Sequence, residues 1–276
     1  MTAMANYKLI ALDIDGTLAR NDRSLSQRTI DTLVEAQRRG LRVVIASGRP
    51  TWGISHVAEA LQIDRFGGFV LAFNGGEIWN WQRRERIYAQ TLPDEVIPLL
   101  YRSAQSAGFD IMTYCGSYIM TETPESQYIQ LSSARNRMQV KKVDDFLKEV
   151  EYPLSKCMIV GEAERLQGFE QTLKEELQGR ANAYRSEPFY LEIVPTGIDK
   201  ARCLDFLLKH LGLTRMELMA CGDGYNDISM IELAGLGVAM DNAQACVKQA
   251  ADYVTLSNEA DGVADVVCKF FLDAER

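Results

Sequence analysis

The sequence predicts an α/β fold in which a parallel sheet with flanking helices is interrupted by an inserted α+β segment. Apolar runs that are typical of buried strands alternate with helical patterns near both ends of the chain. Between them the pattern changes to alternating strands, a hairpin and amphipathic helices. The length of 276 residues exceeds the usual size of a single domain and allows two.

The first β-α-β unit is indicated by two apolar runs and a helix between them. Ser26 is a favourable N-cap for that helix, and Gly40 is a suitable residue to end it. A third apolar run ends at the turn Asn74-Gly75-Gly76. The crossovers between parallel strands are expected to be right-handed. The strands predicted in this part of the chain span residues 7–13, 41–47 and 68–73.

The same pattern returns after the insertion, with helices over 200–211 and 227–234 and strands over 217–221 and 237–240. Within the insertion we expect strands at 111–114, 117–121 and 189–194, and helices at 93–107, 143–150 and 162–177. The sequence therefore predicts a Rossmann-like core made of residues 1–83 and 195–276. Residues 84–194 form the inserted α+β domain.

Composition limits the classes of partner. The chain carries 30 Lys and Arg against 38 Asp and Glu, a net charge of -8, which argues against nucleic-acid binding. No apolar run approaches the roughly 20 residues of a membrane span, and the first residues lack a signal pattern. We therefore expect a cytoplasmic protein with no membrane partner. The six cysteines show no metal-binding or disulfide spacing.

Two carboxylates follow the first predicted strand directly. Asp13 and Asp15 are two residues apart in Asp-Ile-Asp-Gly-Thr, so they start on the same face of the chain. Open α/β sheets bind ligands at the carboxyl ends of their strands, which is where this pair lies. Two close like charges favour a bound cation or a shared proton. Because Asp-Gly is also a common turn, the segment alone leaves a purely structural interpretation open.

A second acidic segment follows another apolar strand. Asp223, Asn226 and Asp227 lie in Gly-Asp-Gly-Tyr-Asn-Asp, where oxygen ligands alternate with glycines that allow close backbone approach. Two acidic strand ends in one sheet predict one metal site. An Asn/Asp turn would also explain this segment.

Two further features could hold a phosphoryl group. Ser47 and Gly48 close the second strand with a hydroxyl and backbone amides that can face an anion. Lys200 opens a helix and could serve as a point-charge clamp on phosphate, although most lysines are solvated surface residues. Neither feature decides the function by itself.

Taken together and in this order, the motifs resemble the haloacid dehalogenase-like hydrolase superfamily, in particular its Cof-type phosphatases with a large α+β cap. The resemblance covers essentially the whole chain. Two positions depart from the family pattern, Ala201 and Asp241, where glycine is usual. The residues that carry the resemblance are Asp13-Ile-Asp15-Gly-Thr-Leu, Ser47-Gly-Arg, Asn74-Gly-Gly, Lys200, Gly222-Asp223-Gly-Tyr-Asn226-Asp227-Ile-Ser-Met230 and Gly237-Val-Ala-Met-Asp-Asn-Ala243.

The resemblance implies a Mg²⁺-dependent phosphatase that acts through an aspartyl-phosphate. Asp13 would be the nucleophile, and Asp15 would be the general acid and then the general base. Mg²⁺ would be held by Asp13, the backbone carbonyl of Asp15 and Asp223, with Asp227 as a ligand or as support. The phosphoryl group would be bound by a further set of residues, namely Ser47, Gly48, Lys200 and Asn226.

The implied substrate is a small phosphorylated metabolite of the sugar phosphate, pyridoxal phosphate or FMN class, selected by the inserted cap domain. Two other functions stay open at this point. A sugar phosphomutase would use the same aspartyl-phosphate, and a noncatalytic protein would only bind a phosphorylated metabolite. The sequence does not indicate an oligomeric state.

Overall fold

The computed structural model describes residues 7–273, which form two compact units. The first unit contains the chain up to Gly48, Ile54–Tyr88 and the chain from Asp199 onward. The second unit contains Arg49–Gly53 and Ala89–Ile198. The predicted α/β class with a parallel-sheet core is confirmed.

Fourteen strands lie within the described residues. They are β1 (Leu9–Leu12), β2 (Arg42–Ala46), β3 (Phe69–Ala72), β4 (Glu77–Asn80), β5 (Glu85–Ala89), β6 (Asp110–Cys115), β7 (Tyr118–Thr121), β8 (Gln139–Lys142), β9 (Cys157–Val160), β10 (Ala181–Glu187), β11 (Tyr190–Pro195), β12 (Leu218–Gly222), β13 (Leu236–Ala239) and β14 (Tyr253–Val254).

Ten α-helices lie in the same part of the chain, together with short 3₁₀ turns that include Tyr225–Asp227 and Asn258–Ala260. The helices are α1 (Gln27–Arg38), α2 (Thr51–Ala60), α3 (Val96–Ala107), α4 (Gln127–Asn136), α5 (Phe146–Glu149), α6 (Ala163–Leu177), α7 (Lys200–Leu211), α8 (Ile228–Leu233), α9 (Ala245–Ala250) and α10 (Gly262–Val267). From residue 7 to residue 273, no helix has both the length and the apolar character needed to cross a membrane.

The first unit is built on an eight-stranded sheet with the order β14-β13-β12-β1-β2-β3-β4-β5. β1 is central and pairs in parallel with β12 and β2, so that Leu12 lies beside Cys221 and Ile45. The residues that follow these three strands therefore emerge at one edge of the sheet. Except for the exposed Arg42 at the start of β2, the residues of these three strands are buried, as expected for a sheet covered on both faces.

Local sequence signals fix the helices that approach this edge. Ser26 caps α1 as predicted, since its hydroxyl accepts a hydrogen bond from the Thr29 N–H at 3.0 Å. Asp199 caps α7 by accepting from the Arg202 N–H at 3.0 Å. The cap makes Lys200 the first residue of α7, which spans the predicted range.

The second unit contains a six-stranded sheet with the order β10-β11-β9-β6-β7-β8. The predicted β6–β7 hairpin is present. Apolar residues of α3 and α6 pack with inward residues of this sheet in one buried cluster. The helix predicted over 143–150 is shorter, because the Val143 N–H bonds to the Thr121 carbonyl and Asp145 caps α5.

The strand β5 lies at the edge of the eight-stranded sheet. The chain passes from the first compact unit to the second after Tyr88 and returns before Asp199, a few residues beyond the predicted limits of the insertion at 84 and 194. Arg49–Gly53, predicted to lie in the core, also belongs to the second unit. The difference at the first limit arises because Glu85–Ala89 continues the antiparallel edge begun by β4.

Candidate active site

Three carboxylates meet at the carboxyl edge of the eight-stranded sheet. Asp13 follows β1, and Asp223 and Asp227 follow β12, the strand beside it. One oxygen from each carboxylate lies within 4.8 Å of the others. The parallel register of β1 and β12 brings together residues that are about two hundred positions apart in sequence.

Lys200 lies inside this cluster with its side chain fully buried. Its Nζ donates to Asp13 Oδ1 at 2.8 Å, to Asp227 Oδ1 at 2.6 Å and to the Ala46 carbonyl at 2.8 Å. These three contacts use all three N–H groups of the ammonium. The sequence allowed an ordinary solvated lysine at this position, and the structure instead places Lys200 at the centre of the site, tied to the end of β2.

Asp227 is fully buried and both of its oxygens have protein partners. Oδ1 accepts from Lys200, while Oδ2 accepts from the backbone N–H groups of Asp223 and Gly224 at 3.0 and 2.9 Å. A Cβ on Gly222 would collide with the Asp227 side chain, so only glycine fits there. Asp227 thus fixes the loop that carries Asp223.

Burial shifts the ionisation of the other two carboxylates. Burial raises the pKa of Asp13 most, the Asp227 and Asp223 charges raise it further, and Lys200 opposes both, which leaves the pKa at about 7. Burial also raises the pKa of Asp223 to about 6, against the hydrogen bond from Thr17. Both groups can therefore be partly protonated near neutral pH unless a cation favours the ionised forms.

The ammonium of Lys200 stays charged. Burial alone would lower the pKa of Lys200, but the Asp13 and Asp227 charges, with the hydrogen bonds to both, outweigh burial and raise it. One ammonium faces three carboxylates, so the cluster keeps an excess of negative charge. The donor set consists of carboxylate oxygens alone, which is the chemistry that Mg²⁺ prefers. The residues present therefore fit a magnesium ion.

The turn after Asp13 approaches the second acidic loop closely. Thr17 Oγ1 donates to Asp223 Oδ1 at 2.9 Å. Gly16 has a φ of 86°, and a Cβ there would collide with the Asp223 carboxylate. Asp15 lies in sequence between Asp13 and Gly16, and its side chain is exposed. The charge of Asp15 contributes to the raised pKa of Asp223. Thr17 was not selected as a site residue from the sequence.

Three of the four residues predicted to bind phosphate lie on two loops, and the fourth, Lys200, begins α7. Ser47 is buried at the end of β2, and Gly48 follows it against the Asn74 amide, 3.1 Å from where a Cβ would stand. Asn226 is exposed, and its Nδ2 donates to Asn74 Oδ1 at 3.0 Å. Asn74 therefore joins the two loops. The sequence indicated a turn there and a match to the family pattern, but it did not select Asn74 as a site residue. Asn74 has a φ of 55°, a left-handed backbone conformation that is uncommon for residues other than glycine.

Comparisons with known proteins found a matching family and similar solved structures. A protein-family model described as haloacid dehalogenase-like hydrolase matches residues 10–267. The crystal structure of a haloacid dehalogenase-like hydrolase from Bacteroides thetaiotaomicron is 49% identical to this chain, with a TM-score of 0.94. That match covers 96% of this chain and 100% of the other.

Two further relatives are named for an activity. The 5-amino-6-(5-phospho-D-ribitylamino)uracil phosphatase YcsE of Bacillus subtilis is 31% identical over 266 residues, which are 95% of each chain. The solved structure of the subclass IIB sugar phosphatase BT4131 is 26% identical, with a TM-score of 0.78, and the match covers 95% of this chain and 98% of that one.

Proposed function

The chain belongs to the haloacid dehalogenase-like hydrolase family and is a phosphatase, and from this premise we propose that it hydrolyses small phosphorylated metabolites through an aspartyl-phosphate on Asp13. One observation carries the proposal. Asp13 is buried between Lys200 and two further carboxylates, at the edge of the sheet where a ligand can approach. A buried carboxylate that is held beside a fixed cation suits a nucleophile, whereas an ordinary surface carboxylate would be solvated by water.

In the first step an Asp13 oxygen attacks phosphorus, and the ester P–O bond of the substrate breaks. Asp15 gives its proton to the departing alkoxide, which leaves as an alcohol. The exposed position of the Asp15 side chain, two residues after the nucleophile, suits a group that must reach the leaving oxygen.

In the second step a water molecule attacks the phosphorus of the aspartyl-phosphate, and Asp15 accepts its proton. The acyl-phosphate bond then breaks, inorganic phosphate leaves and Asp13 returns as a carboxylate. Asp15 regains the proton that it lost, so the enzyme is ready for another cycle. The sum is one ester and one water converted to one alcohol and one phosphate.

We assign Mg²⁺ to Asp13, Asp223 and the backbone carbonyl of Asp15, with Asp227 as ligand or support. When bound, Mg²⁺ supplies positive charge that favours the ionised nucleophile and offsets the charge of the phosphoryl oxygens. Asp227 is committed to Lys200 and to two backbone amides, which favours its role as support. Lys200 supplies permanent positive charge beside the nucleophile.

We assign the phosphoryl oxygens to Ser47, Gly48 and Asn226 as hydrogen-bond donors. Lys200 would hold the phosphoryl group by its positive charge, since its three N–H groups already have acceptors. The hydrogen bond between Asn226 and Asn74 supports this assignment because it ties the Asn226 loop to the loop at Gly48. Donors held in place before the reaction stabilise transferred charge without reorganising.

The substrate class follows from the relatives. YcsE is named for a phosphoribityl compound and BT4131 is a sugar phosphatase. The phosphoribityl chain and a sugar phosphate share a phosphate ester on a polyhydroxylated carbon chain, and FMN carries the same ribityl phosphate. We therefore propose sugar and polyol phosphates, with FMN next and pyridoxal phosphate third.

We further propose that the insertion, residues 84–194, selects the substrate. The sheet of this domain contains polar side chains that are largely buried. Lys156 Nζ lies 2.6 Å from Glu192 Oε2, and the Tyr184 hydroxyl donates to the same oxygen.

The test is phosphate release from sugar phosphates, FMN, pyridoxal phosphate and the phosphoribityl compound, with Mg²⁺ and with chelator. Wild type and Asp13→Asn are compared, and hydroxylamine is used to trap an acyl phosphate. We expect Mg²⁺-dependent release and trapping in the wild type only, with an unchanged circular dichroism spectrum in the variant. Turnover by Asp13→Asn near the wild-type rate would refute the mechanism. Isomerised sugar phosphate without free phosphate would indicate a mutase.

A further inference from the structure

Two asparagines outside the carboxylate cluster hold the backbone that follows Asp15. Asn242 Nδ2 donates to the Gly16 carbonyl at 2.8 Å, and Asn258 Nδ2 donates to the Ala19 carbonyl at 2.9 Å. Both carbonyls belong to the turn that leads away from β1. The asparagines come from beyond β13, more than two hundred residues further along the chain, so these contacts are tertiary.

The two asparagines also fix each other. The backbone N–H of Asn258 donates to Asn242 Oδ1 at 2.9 Å, so the Asn242 amide is held at its oxygen and at its nitrogen. Asn258 is only 5% exposed, and its Nδ2 also donates to Asn21 Oδ1 at 3.2 Å. An amide bonded at both ends has a single orientation, because its oxygen can only accept and its nitrogen can only donate.

The turn around Asp15 is also held by backbone hydrogen bonds, including one from the Leu18 N–H to the Asp13 carbonyl at 3.3 Å. The N–H groups of Thr17 and Ala19 donate to the Ile14 carbonyl at 3.3 and 2.8 Å. Gly16, the next residue after Asp15, has the backbone with most freedom in this turn. The Asp15 side chain is exposed, and this backbone sets the point from which it extends.

We infer that Asn242, oriented by Asn258, is a positioning residue that holds Asp15 for proton transfer by fixing the Gly16 carbonyl. The inference rests on the proposed function, in which Asp15 protonates the leaving alcohol. Asn242 acts through the backbone beside Asp15, whose carbonyl is also a proposed Mg²⁺ ligand, so the assays are run at saturating Mg²⁺. Under that condition the contribution of Asn242 should appear where the reaction needs the Asp15 proton. That dependence separates positioning from general structural support.

The test uses two leaving groups and kcat/KM, which reports the steps up to transfer of phosphate to Asp13. The alkoxide of glucose 6-phosphate needs a proton to leave, whereas p-nitrophenolate is stable without one. Asn242→Ala removes both hydrogen bonds of the amide. Asn242→Asp keeps the acceptor for Asn258 but replaces the donor to Gly16 by a carboxylate oxygen, which repels the Gly16 carbonyl. Asn242 is exposed, and both variants should fold.

We expect both variants to lower kcat/KM about tenfold for glucose 6-phosphate and less than about twofold for p-nitrophenyl phosphate. In an Asp15→Asn background, Asn242→Ala should cause no further loss, because it acts through Asp15. The matched control is Asn80→Ala. Asn80 also bonds to a backbone N–H, that of Arg83, but it lies in β4, three strands from β1. Its kcat/KM should equal that of the wild type.

Equal losses with both substrates, no loss with either, or a full additional loss in the Asp15→Asn background would overturn the inference. The proposed function has its own readout in the same experiment. Asp15→Asn alone must lower kcat/KM more for glucose 6-phosphate than for p-nitrophenyl phosphate. If it does not, the role of Asp15 is wrong, and the Asn242 inference falls with it. If Asp15→Asn shows this difference, the role of Asp15 stands, and the results for the Asn242 variants then test only the inference about Asn242.

Discussion

The Nζ of Lys200 lies 2.6 Å from Oδ1 of Asp227, and both side chains are fully excluded from solvent. Buried ions cost free energy unless partners and hydrogen bonds satisfy them, and here every donor of the ammonium has an acceptor. Asp227 in turn holds the amides of the loop that carries Asp223. This pair therefore connects the charge of the nucleophile to the geometry of the cation site.

Lys200→Met should destabilise the metal-free protein strongly. The change leaves Asp13 and Asp227 buried without their cation, and loss of one partner of a buried pair costs roughly 3–5 kcal/mol. Because Asp13 can take up a proton, the cost should be larger at pH 8 than at pH 5. Urea unfolding of the wild type and the variant in chelator, at both pH values, measures the difference in the free energy of unfolding.

Lys209→Met is the matched control on the same helix, α7. Lys209 Nζ lies 2.6 Å from Asp205, but its side chain is 75% exposed, and such pairs contribute little to stability. Its free energy of unfolding should stay close to that of the wild type at both pH values. Equal effects of the two substitutions would show that the buried pair is not what stabilises the cluster.

Gly16→Ala should abolish most of the activity, with a roughly 100-fold loss of kcat. The backbone at Gly16 has a φ of 86°, and the added Cβ would collide with the Asp223 carboxylate. The variant should therefore need more Mg²⁺ for half-maximal activity. Phosphate release measured over a Mg²⁺ series reports both effects.

Gly40→Ala separates the collision from backbone strain. Gly40 has a φ of 98° and open space around the added Cβ, so both substitutions carry the cost of a left-handed alanine, about 1–2 kcal/mol. Only Gly16→Ala should change the Mg²⁺ requirement. A Mg²⁺ requirement in Gly16→Ala equal to that in Gly40→Ala would mean that Asp223 moves aside without consequence.

Much of this site could be predicted because its residues sit at the ends of clear local patterns. Asp13 follows an unbroken apolar strand, and Asp199 is a standard helix cap that places Lys200 at the start of α7. Parallel strands then bring their carboxyl ends together. In the second unit the sequence was less informative, since β8 (Gln139–Lys142) has a single apolar residue, Val140, which is too little for an alternating pattern.

The partners of the small polar residues could not be predicted. Thr17 bonds to a carboxylate 206 positions away, and Asn242 bonds to a carbonyl 226 positions away. Such contacts depend on the strand order of the finished sheet, about which composition and periodicity say nothing. A threonine or an asparagine in a turn also has a sufficient local explanation, which hides its long-range role.

Thr17→Val should weaken Mg²⁺ binding with little change in fold. Valine has nearly the same shape as threonine, but it loses the hydrogen bond to Asp223 Oδ1. That bond lowers the pKa of Asp223, so its loss should raise the pKa above its present value of about 6. The Mg²⁺ dissociation constant at pH 6.5, from calorimetry, should increase by roughly tenfold, in line with losses of supporting contacts at metal sites.

Thr17→Ser keeps the hydroxyl and provides the control. Its Mg²⁺ affinity should lie close to that of the wild type, although it loses a buried methyl group and some stability. If Thr17→Ser and Thr17→Val weaken binding to the same degree, packing rather than the hydrogen bond positions Asp223.

The metal-free protein should lose stability as the pH rises from about 4 to about 7. The pKa values of Asp13 and Asp223 are raised from 3.8 to about 7 and about 6. The folded state therefore binds these protons more tightly than the unfolded chain does, and their release favours unfolding across that window. Thermal unfolding in chelator over this pH range measures the contribution.

Magnesium should reverse this trend, because it binds the ionised carboxylates and competes with their protons. The rise in Tm caused by saturating Mg²⁺ should be small at pH 5 and large at pH 8. Asp223→Asn removes one of the two titrating groups and one ligand, so it should flatten the pH dependence in chelator and reduce the Mg²⁺ response at pH 8. A response equally large at both pH values, or undiminished in Asp223→Asn, would place the cation elsewhere.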